Sequence, residues 1–280
     1  MKKITVKDII AKKNKDKIVM LTCYDYSFAG ALDEAGVDII LVGDSLANVV
    51  LGKRYTREVT FKEMLNHTEA VSKGVERALV VTDMPYVCYQ KNPKKALYFA
   101  RKFISCGADG VKLEWFKGCE AVAKELNENG IQVMGHVGLT PQAVKSPSGF
   151  KVQGKDRFSA LELVNCAVIL EKTGVFSVVL ECIPLRVSNV ITGLLKVPTI
   201  GIGAGMFCDG QVLVLYDFLG LYKRIRPKFA RQYSNFHSQI KDSVMRFTKD
   251  ISANSFPAKE ESFTMPDNEF DAFEAELKKQ

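Results

Sequence analysis

Apolar residues along this chain come in short continuous runs rather than in long spans or strict alternation. Val178-Val179-Leu180 and Leu213-Val214-Leu215 are examples, and strands buried on both faces read this way. Eight such runs predict strands over 19–23, 39–42, 78–82, 110–113, 132–135, 177–180, 199–202 and 212–215. Between them, segments over 61–73, 93–106, 119–129 and 157–173 carry the helical period. Gly74, Gly107, Gly130 and Gly174 stand where helix C-caps belong. This alternation predicts an α/β fold, a parallel sheet closed as a (β/α)8 TIM barrel. A doubly wound open sheet is the alternative. Residues 6–13 have a short amphipathic pattern suited to plugging the bottom of a barrel. We expect a catalytic barrel over 1–250. A tail over 251–280 should be extended, with Pro257 and Pro266 among polar residues and a short helix over 270–277.

The run Val37-Asp38-Ile39-Ile40-Leu41-Val42 stops at Gly43-Asp44-Ser45. One carboxylate after a strand is ordinary, because Asp and Ser cap helices and close turns. The other strand ends change the picture. In order they carry Tyr24 and Asp25, Asp44 and Ser45, Asp83, Glu114, His136, Glu181, Gly203-Ala204-Gly205, and Tyr216 and Asp217. In a barrel these ends converge on one rim, where chemistry belongs. Independent capping has no reason to choose ionisable groups so consistently.

Carboxylates crowded on one rim repel one another unless a cation stands among them. Mg²⁺ suits such a place, since it takes oxygen ligands and leaves positions open for substrate. Asp44, Asp83 and Glu114 close consecutive strands and are candidate ligands or the groups just behind them. Lys112 shares the inward face of its strand with Glu114. It either meets a bound anion or forms an internal ion pair with Glu114. His136 is either a satisfied core residue or a polar contact to substrate. Glu181 follows an apolar run and stands a strand away from the acidic cluster, a setting that raises its pKa and suits proton abstraction. Gly201-Ile202-Gly203-Ala204-Gly205 reads mainly as room for a substrate or cofactor, since Asp217 on the next strand opposes a phosphate.

Composition narrows the class without naming a function. The 280 residues are 47% hydrophobic and 25% charged, as in ordinary globular chains. A net charge of +7 suits a small anionic substrate and is too diffuse for nucleic acid. The most basic stretch, Lys223-Arg224-Ile225-Arg226-Pro227-Lys228, reads as a solvated rim. No apolar run approaches the ~18 residues of a membrane span, and the charged opening lacks the apolar region of a signal peptide. Seven scattered cysteines include no Cys-x-x-Cys pair, so neither a zinc nor a disulfide framework is visible and a reducing cytoplasm is expected.

Several motifs are long enough to compare with known families. They are Gly43-Asp44-Ser45, Thr82-Asp83-Met84-Pro85, Val111-Lys112-Leu113-Glu114 and Gly135-His136-Val137-Gly138-Leu139-Thr140-Pro141-Gln142. Further along come Gly149-Phe150-Lys151-Val152-Gln153-Gly154, Leu180-Glu181-Cys182-Ile183-Pro184, the glycine run at 201–205 and Asp209-Gly210-Gln211. In this order the chain resembles the ketopantoate hydroxymethyltransferase family, from the N-terminal helix to about Phe263. The resemblance implies a barrel of the phosphoenolpyruvate/pyruvate type, usually a homodecamer. It implies transfer of a hydroxymethyl group from 5,10-methylenetetrahydrofolate to 2-oxoisovalerate, towards pantothenate. It also implies Asp44 and Asp83 as metal ligands, Glu114 close to the metal, and Glu181 as proton acceptor. Ser45, Asp83 and Lys112 match substrate contacts. Taken with the residue reading, Asp44, Ser45, Asp83, Lys112 and His136 are the expected substrate contacts, and Asp44, Asp83 and Glu114 the expected metal site. Related lyases that cleave 2-oxo acids at C–C or C–P bonds carry Lys-Lys-Cys-Gly-His, which is missing here. The charged stretch after Pro266 runs past the usual end of the family.

Overall fold

The computed structural model describes residues 2–90, 92–143, 151–224 and 227–279. Gly149 and Phe150 of the motif quoted above, and Ile225 and Arg226 of the basic stretch, lie outside the described residues. The eight strands are β1 (Ile18–Thr22), β2 (Ile39–Val42), β3 (Leu79–Asp83), β4 (Gly110–Glu114), β5 (Val133–Gly138), β6 (Ser177–Glu181), β7 (Thr199–Ile202) and β8 (Gly210–Leu213). They pair in parallel, in chain order, as a closed barrel. The closing seam matches Ile18 with Gly210 and Leu21 with Leu213, which decides against an open sheet.

The barrel interior is a packed apolar plug. Met20, Ile39, Leu41, Leu79, Val81, Met134, Val179, Ile200 and Val212 form its buried cluster. Ile9 joins them from the N-terminal helix Val6–Ala11, with Ile4 and Val6 against the same cluster, so this helix does stopper the barrel. Thr5 starts that helix through a capping box with Asp8. Helix Phe61–Lys73 begins in the same way at Thr60 and Glu63, each satisfying an N–H the first turn leaves free. It ends at Gly74, where a Cβ would lie 2.5 Å from the Tyr26 carbonyl oxygen; close approach, not φ (−93°), selects glycine there.

The bottom of the barrel is tied by Asp209. Its carboxylate accepts from the N–H of Thr199 at 2.8 Å and of Asn14 at 3.2 Å, and pairs with Lys13 Nζ at 2.8 Å. One side chain therefore joins β7, the loop before β8 and the N-terminal segment.

Two boundaries differ from the sequence expectation. β8 runs Gly210–Leu213, two residues ahead of the expected 212–215. The strand stops because the N–H of Leu215 donates to Thr22 Oγ1 and not into the ladder, and a short helix, Leu215–Phe218, follows. Tyr216 and Asp217 therefore sit on that helix. The second difference concerns division of the chain. The compact body ends at Tyr233, and Ser234–Gln280 form a second unit. Helix Phe236–Ser252, counted with the barrel in the expected 1–250 division, belongs to this second unit. Its apolar spacing is that of an ordinary barrel helix, so pattern alone does not separate it. The second unit also contains helix Asp267–Leu277, and neither of its helices has a buried residue. No helix among the described residues is long and apolar enough to cross a membrane.

Candidate active site

Parallel registration brings the strand-end residues together. Asp83 pairs with Lys112 across β3 and β4, Glu114 with His136 across β4 and β5, and Gly138 with Glu181 across β5 and β6. Asp83, Glu114 and Glu181 are the last residues of their strands, where the barrel opens. Asp44, Asp83, Lys112, Glu114 and His136 are all buried.

Lys112 is the hub. Its Nζ lies 2.9 Å from Asp83 Oδ1 and 3.2 Å from His136 Nδ1. The ion pair is thus with Asp83 on the neighbouring strand, not with Glu114 as the internal alternative had it. Side chains two apart on one strand are separated by about 7 Å, whereas registered neighbours on adjacent strands are about 5 Å apart. Burial works to lower the Lys112 pKa, but Asp83, Glu114 and Asp44 outweigh it and raise it, so this residue is an ammonium. An ammonium only donates, so Nδ1 of His136 accepts. Burial, and then the Lys112 charge, hold His136 well below its usual pKa. The neutral ring therefore carries its proton on Nε2, which faces Glu181 Oε2 at 3.3 Å without the angle of a hydrogen bond. Both ring nitrogens thus face protein groups.

The carboxylates divide by what they touch. Asp83 Oδ2 accepts the N–H of Asp44 at 3.0 Å, locking the β2 and β3 ends together. Glu114 Oε2 accepts the N–H of Gln142 at 3.0 Å, while Gln142 Nε2 donates to the Met84 carbonyl and Tyr89 OH to Gln142 Oε1. Gln142 therefore fixes Glu114. Its role was missed by residue reading, although it stands just past β5. Asp44 Oδ2 and Glu114 Oε1 are buried without a hydrogen-bond partner among the described residues. Burial, then the charge of Asp83, pushes the Asp44 carboxyl up to about 7 against the pull of Lys112. Burial and then Asp44 hold Glu114 well above the usual carboxylate range. Burial pushes Glu181 up to about 8, with Lys112 opposing and Asp83 adding to it.

This donor set fits a divalent cation. Four carboxylates face one ammonium, and among the described residues Asp44 Oδ2 and Glu114 Oε1 are buried with no donor, while Asp83 Oδ1 has its ion pair with Lys112. Among the described residues, no three His, Cys, Asp or Glu side chains group closely enough to hold an ion unaided. Water and substrate oxygens would complete the shell, as Mg²⁺ prefers.

Ser45 opens the short helix Leu46–Val49, but its side chain makes no capping hydrogen bond. The ordinary reading of Asp44-Ser45 as a helix cap is therefore not what the fold uses. A Cβ at Gly43 would lie 2.9 Å from Ser45 Oγ and 3.2 Å from Thr22 Cγ2, so this glycine does clear space. Gly203 and Gly205 do not leave room for a ligand as expected. A Cβ at Gly203 would meet the Phe229 ring at 2.7 Å, and one at Gly205 would run into Leu185. Apolar side chains fill that space.

Comparison with known proteins gives the family. The family model described as ketopantoate hydroxymethyltransferase matches residues 3–259. The chain belongs to that family. It is 46% identical to the 3-methyl-2-oxobutanoate hydroxymethyltransferase of Nitratidesulfovibrio vulgaris (strain DP4) over 277 residues, covering 99% of this chain and 90% of the relative. With the protein of the same name from Syntrophus aciditrophicus the identity is 47% over 264 residues, covering 94% and 97%. These relatives are enzymes by name, and the family is an enzyme family. Among solved structures, phosphonopyruvate hydrolase complexed with oxalate and Mg²⁺ superposes with a TM-score of 0.59 at 11% identity, covering 93% of each chain. A 2,3-dimethylmalate lyase of the PEP mutase/isocitrate lyase superfamily gives 0.58 at 13%, covering 98% of each. At such identities the likeness concerns the barrel fold alone.

Proposed function

We propose that this protein transfers a hydroxymethyl group from 5,10-methylenetetrahydrofolate to 3-methyl-2-oxobutanoate (2-oxoisovalerate), giving ketopantoate for pantothenate biosynthesis, with Mg²⁺ in the site. The observation that carries the reading is the contrast among the carboxylates. The Glu181 side chain is 16% exposed, against 3% for Asp83 and Glu114, and of these three Glu181 is the one that faces Nε2 of His136. A carboxyl raised to about 8 and reachable from the rim is suited to take a proton near neutral pH.

The roles follow from position. Asp44 and Asp83 would hold the cation, with Glu114 close behind. Bound there, the ion would draw electron density from the carboxylate and keto oxygens of the 2-oxo acid and acidify its C3–H. Ser45 donates to the substrate carboxylate. Lys112 offsets the negative charge that grows on the keto oxygen as Glu181 removes the C3 proton. His136 stands behind both, accepting from Lys112 at Nδ1 and facing Glu181 with its Nε2 edge. C3 then bonds to the folate methylene carbon. Both bonds from that carbon to the folate nitrogens break; water supplies the hydroxyl, and the two nitrogens take up one proton from that water and the proton that Glu181 removed.

We place this activity in the cytoplasm and in a homo-oligomer, a decamer by the family resemblance. The exposed residues Ile240, Val244, Phe247 and Ile251, spaced along one helix, favour burial in an assembly. The direct test is to incubate the purified protein with Mg²⁺, 3-methyl-2-oxobutanoate and methylenetetrahydrofolate and follow ketopantoate by mass spectrometry. Metal-dependent product is expected. No product with both substrates and metal present overturns the reading.

A further inference from the structure

Behind Ser45 runs a chain of hydroxyl groups with a defined direction. Ser45 Oγ lies 2.8 Å from Tyr24 OH, and Tyr24 OH lies 2.8 Å from Thr22 Oγ1. Thr22 Oγ1 in turn accepts the backbone N–H of Leu215 at 2.9 Å. Thr22 and Tyr24 are buried, and Ser45 is partly exposed at the rim. The backbone N–H can only donate, and this orients everything after it. Among the described residues, Thr22 Oγ1 has two neighbours in hydrogen-bond range, Leu215 N–H and Tyr24 OH. Its proton can therefore go only to the Tyr24 oxygen. The opposite direction would leave a buried O–H without an acceptor, which folded proteins avoid. The Tyr24 proton then goes to Ser45 Oγ. Ser45 accepts it and keeps its own proton free, because among the described residues Oγ has no hydrogen-bond partner besides Tyr24. Gly43 lacks the Cβ that would crowd Ser45 Oγ and the Thr22 methyl group.

We propose that Thr22 and Tyr24 are positioning residues, a hydroxyl relay anchored on the Leu215 N–H that holds Ser45 with its proton turned outward, towards the carboxylate of the 2-oxo acid. The inference rests on the functional reading above only in naming that carboxylate. The relay also couples β8 to the substrate rim, since Leu215 lies just past that strand. Tyr24 keeps its place by edge-on packing against Tyr216, with ring centroids 5.5 Å apart, a contact that phenylalanine preserves.

Two measurements test it. Crystal structures of wild type and Tyr24→Phe without substrate should show Ser45 in one rotamer in the former and spread over several in the latter. A single unchanged rotamer in the variant overturns the relay. Calorimetry of 3-methyl-2-oxobutanoate in Mg²⁺ should show Tyr24→Phe and Ser45→Ala each binding about tenfold more weakly, or about 1.4 kcal/mol. The double variant should be no weaker than Ser45→Ala alone. Thr22→Ser should retain affinity, whereas Thr22→Val loses it. Losses that add in the double variant, or a melting temperature that falls while affinity holds, overturn the proposal. A wild type that binds no 2-oxo acid overturns the functional reading and the carboxylate as acceptor, while the rotamer arm still judges the relay.

Discussion

Glu181 and His136 face each other at 3.3 Å, yet their surroundings assign them different work. Lys112 occupies Nδ1 of His136, and burial and then the Lys112 charge keep the ring neutral, which makes the imidazole a poor proton acceptor. Among the described residues no side chain hydrogen-bonds Glu181, and burial raises its pKa against the pull of Lys112. Deuterium exchange at C3 of 3-methyl-2-oxobutanoate isolates proton removal from one-carbon transfer. Followed by proton NMR in D₂O with Mg²⁺, Glu181→Gln should slow exchange by a factor on the order of 10²–10⁴, the usual contribution of a positioned base. His136→Gln should retain more exchange than Glu181→Gln; the reverse order would make His136 the base. Asp44 supports a second prediction. Its folded-state pKa, about 7, lies above the unfolded value, so the folded protein holds a proton there that the unfolded chain has released. Stability without metal at this site is therefore greatest in acid and falls as pH rises towards about 7. A divalent cation needs the ionised carboxylate. Mg²⁺ should thus raise the melting temperature more near pH ~8 than near pH ~6. Asp44→Asn should remove that difference, and an unchanged pH dependence in the variant would show that Asp44 is no ligand.

Strand ends, more than strand middles, distinguish this barrel. β3, β4 and β6 finish on Asp83, Glu114 and Glu181, so these three side chains are held by the last residues of a ladder instead of a free loop. At the opposite end, Asp209 is a structural carboxylate. Burial alone would raise its pKa, but Lys13 and the N–H groups of Thr199 and Asn14 outweigh this and lower it. A depressed folded pKa means that the stabilisation is present above the unfolded value of 3.8 and is lost as pH falls through the folded value. Asp209→Ala should cost about 3 kcal/mol, because it takes the counter-charge from the largely buried Lys13 ammonium and the acceptor from two backbone donors. It should also flatten the acid limb of the stability curve, while leaving the affinity of folded protein for 2-oxo acid unchanged. Denaturant titration at several pH values checks the first two points and calorimetry the third. A loss of substrate affinity equal to the loss of stability would argue against a purely structural latch.

The division of the chain after Tyr233 leaves every site residue in the first unit. In the second unit, helix Phe236–Ser252 presents Ile240, Val244, Phe247 and Ile251 without burying them. Monomers seldom expose such a stripe. Val244→Glu combined with Phe247→Glu should lower the mass seen by light scattering after size exclusion, with the far-ultraviolet circular dichroism of the barrel retained. An unchanged mass would show that this face is not an assembly surface.

What the sequence by itself determined was local. Apolar runs and the residues that end them depend on a few consecutive positions, so the number of strands, the plug helix and the group Asp44, Asp83, Lys112, Glu114, His136 and Glu181 could all be read from the chain. Cross-strand register could not. The partner of Lys112 is Asp83 because parallel pairing sets them side by side, whereas along the chain Glu114 looks nearer. The same holds for the end of β8, which is decided by the Thr22 hydroxyl reaching Leu215 from a residue almost two hundred positions away. Closure itself needed the pairing of β1 with β8, since an open sheet has the same alternation of strands and helices. Gly203 and Gly205 read as open space until Phe229 and Leu185 were seen to fill it. Helix Phe236–Ser252 has the period of a barrel helix, but periodicity states only that an apolar face exists. Which surface covers that face is a property of packing, and packing is decided in three dimensions.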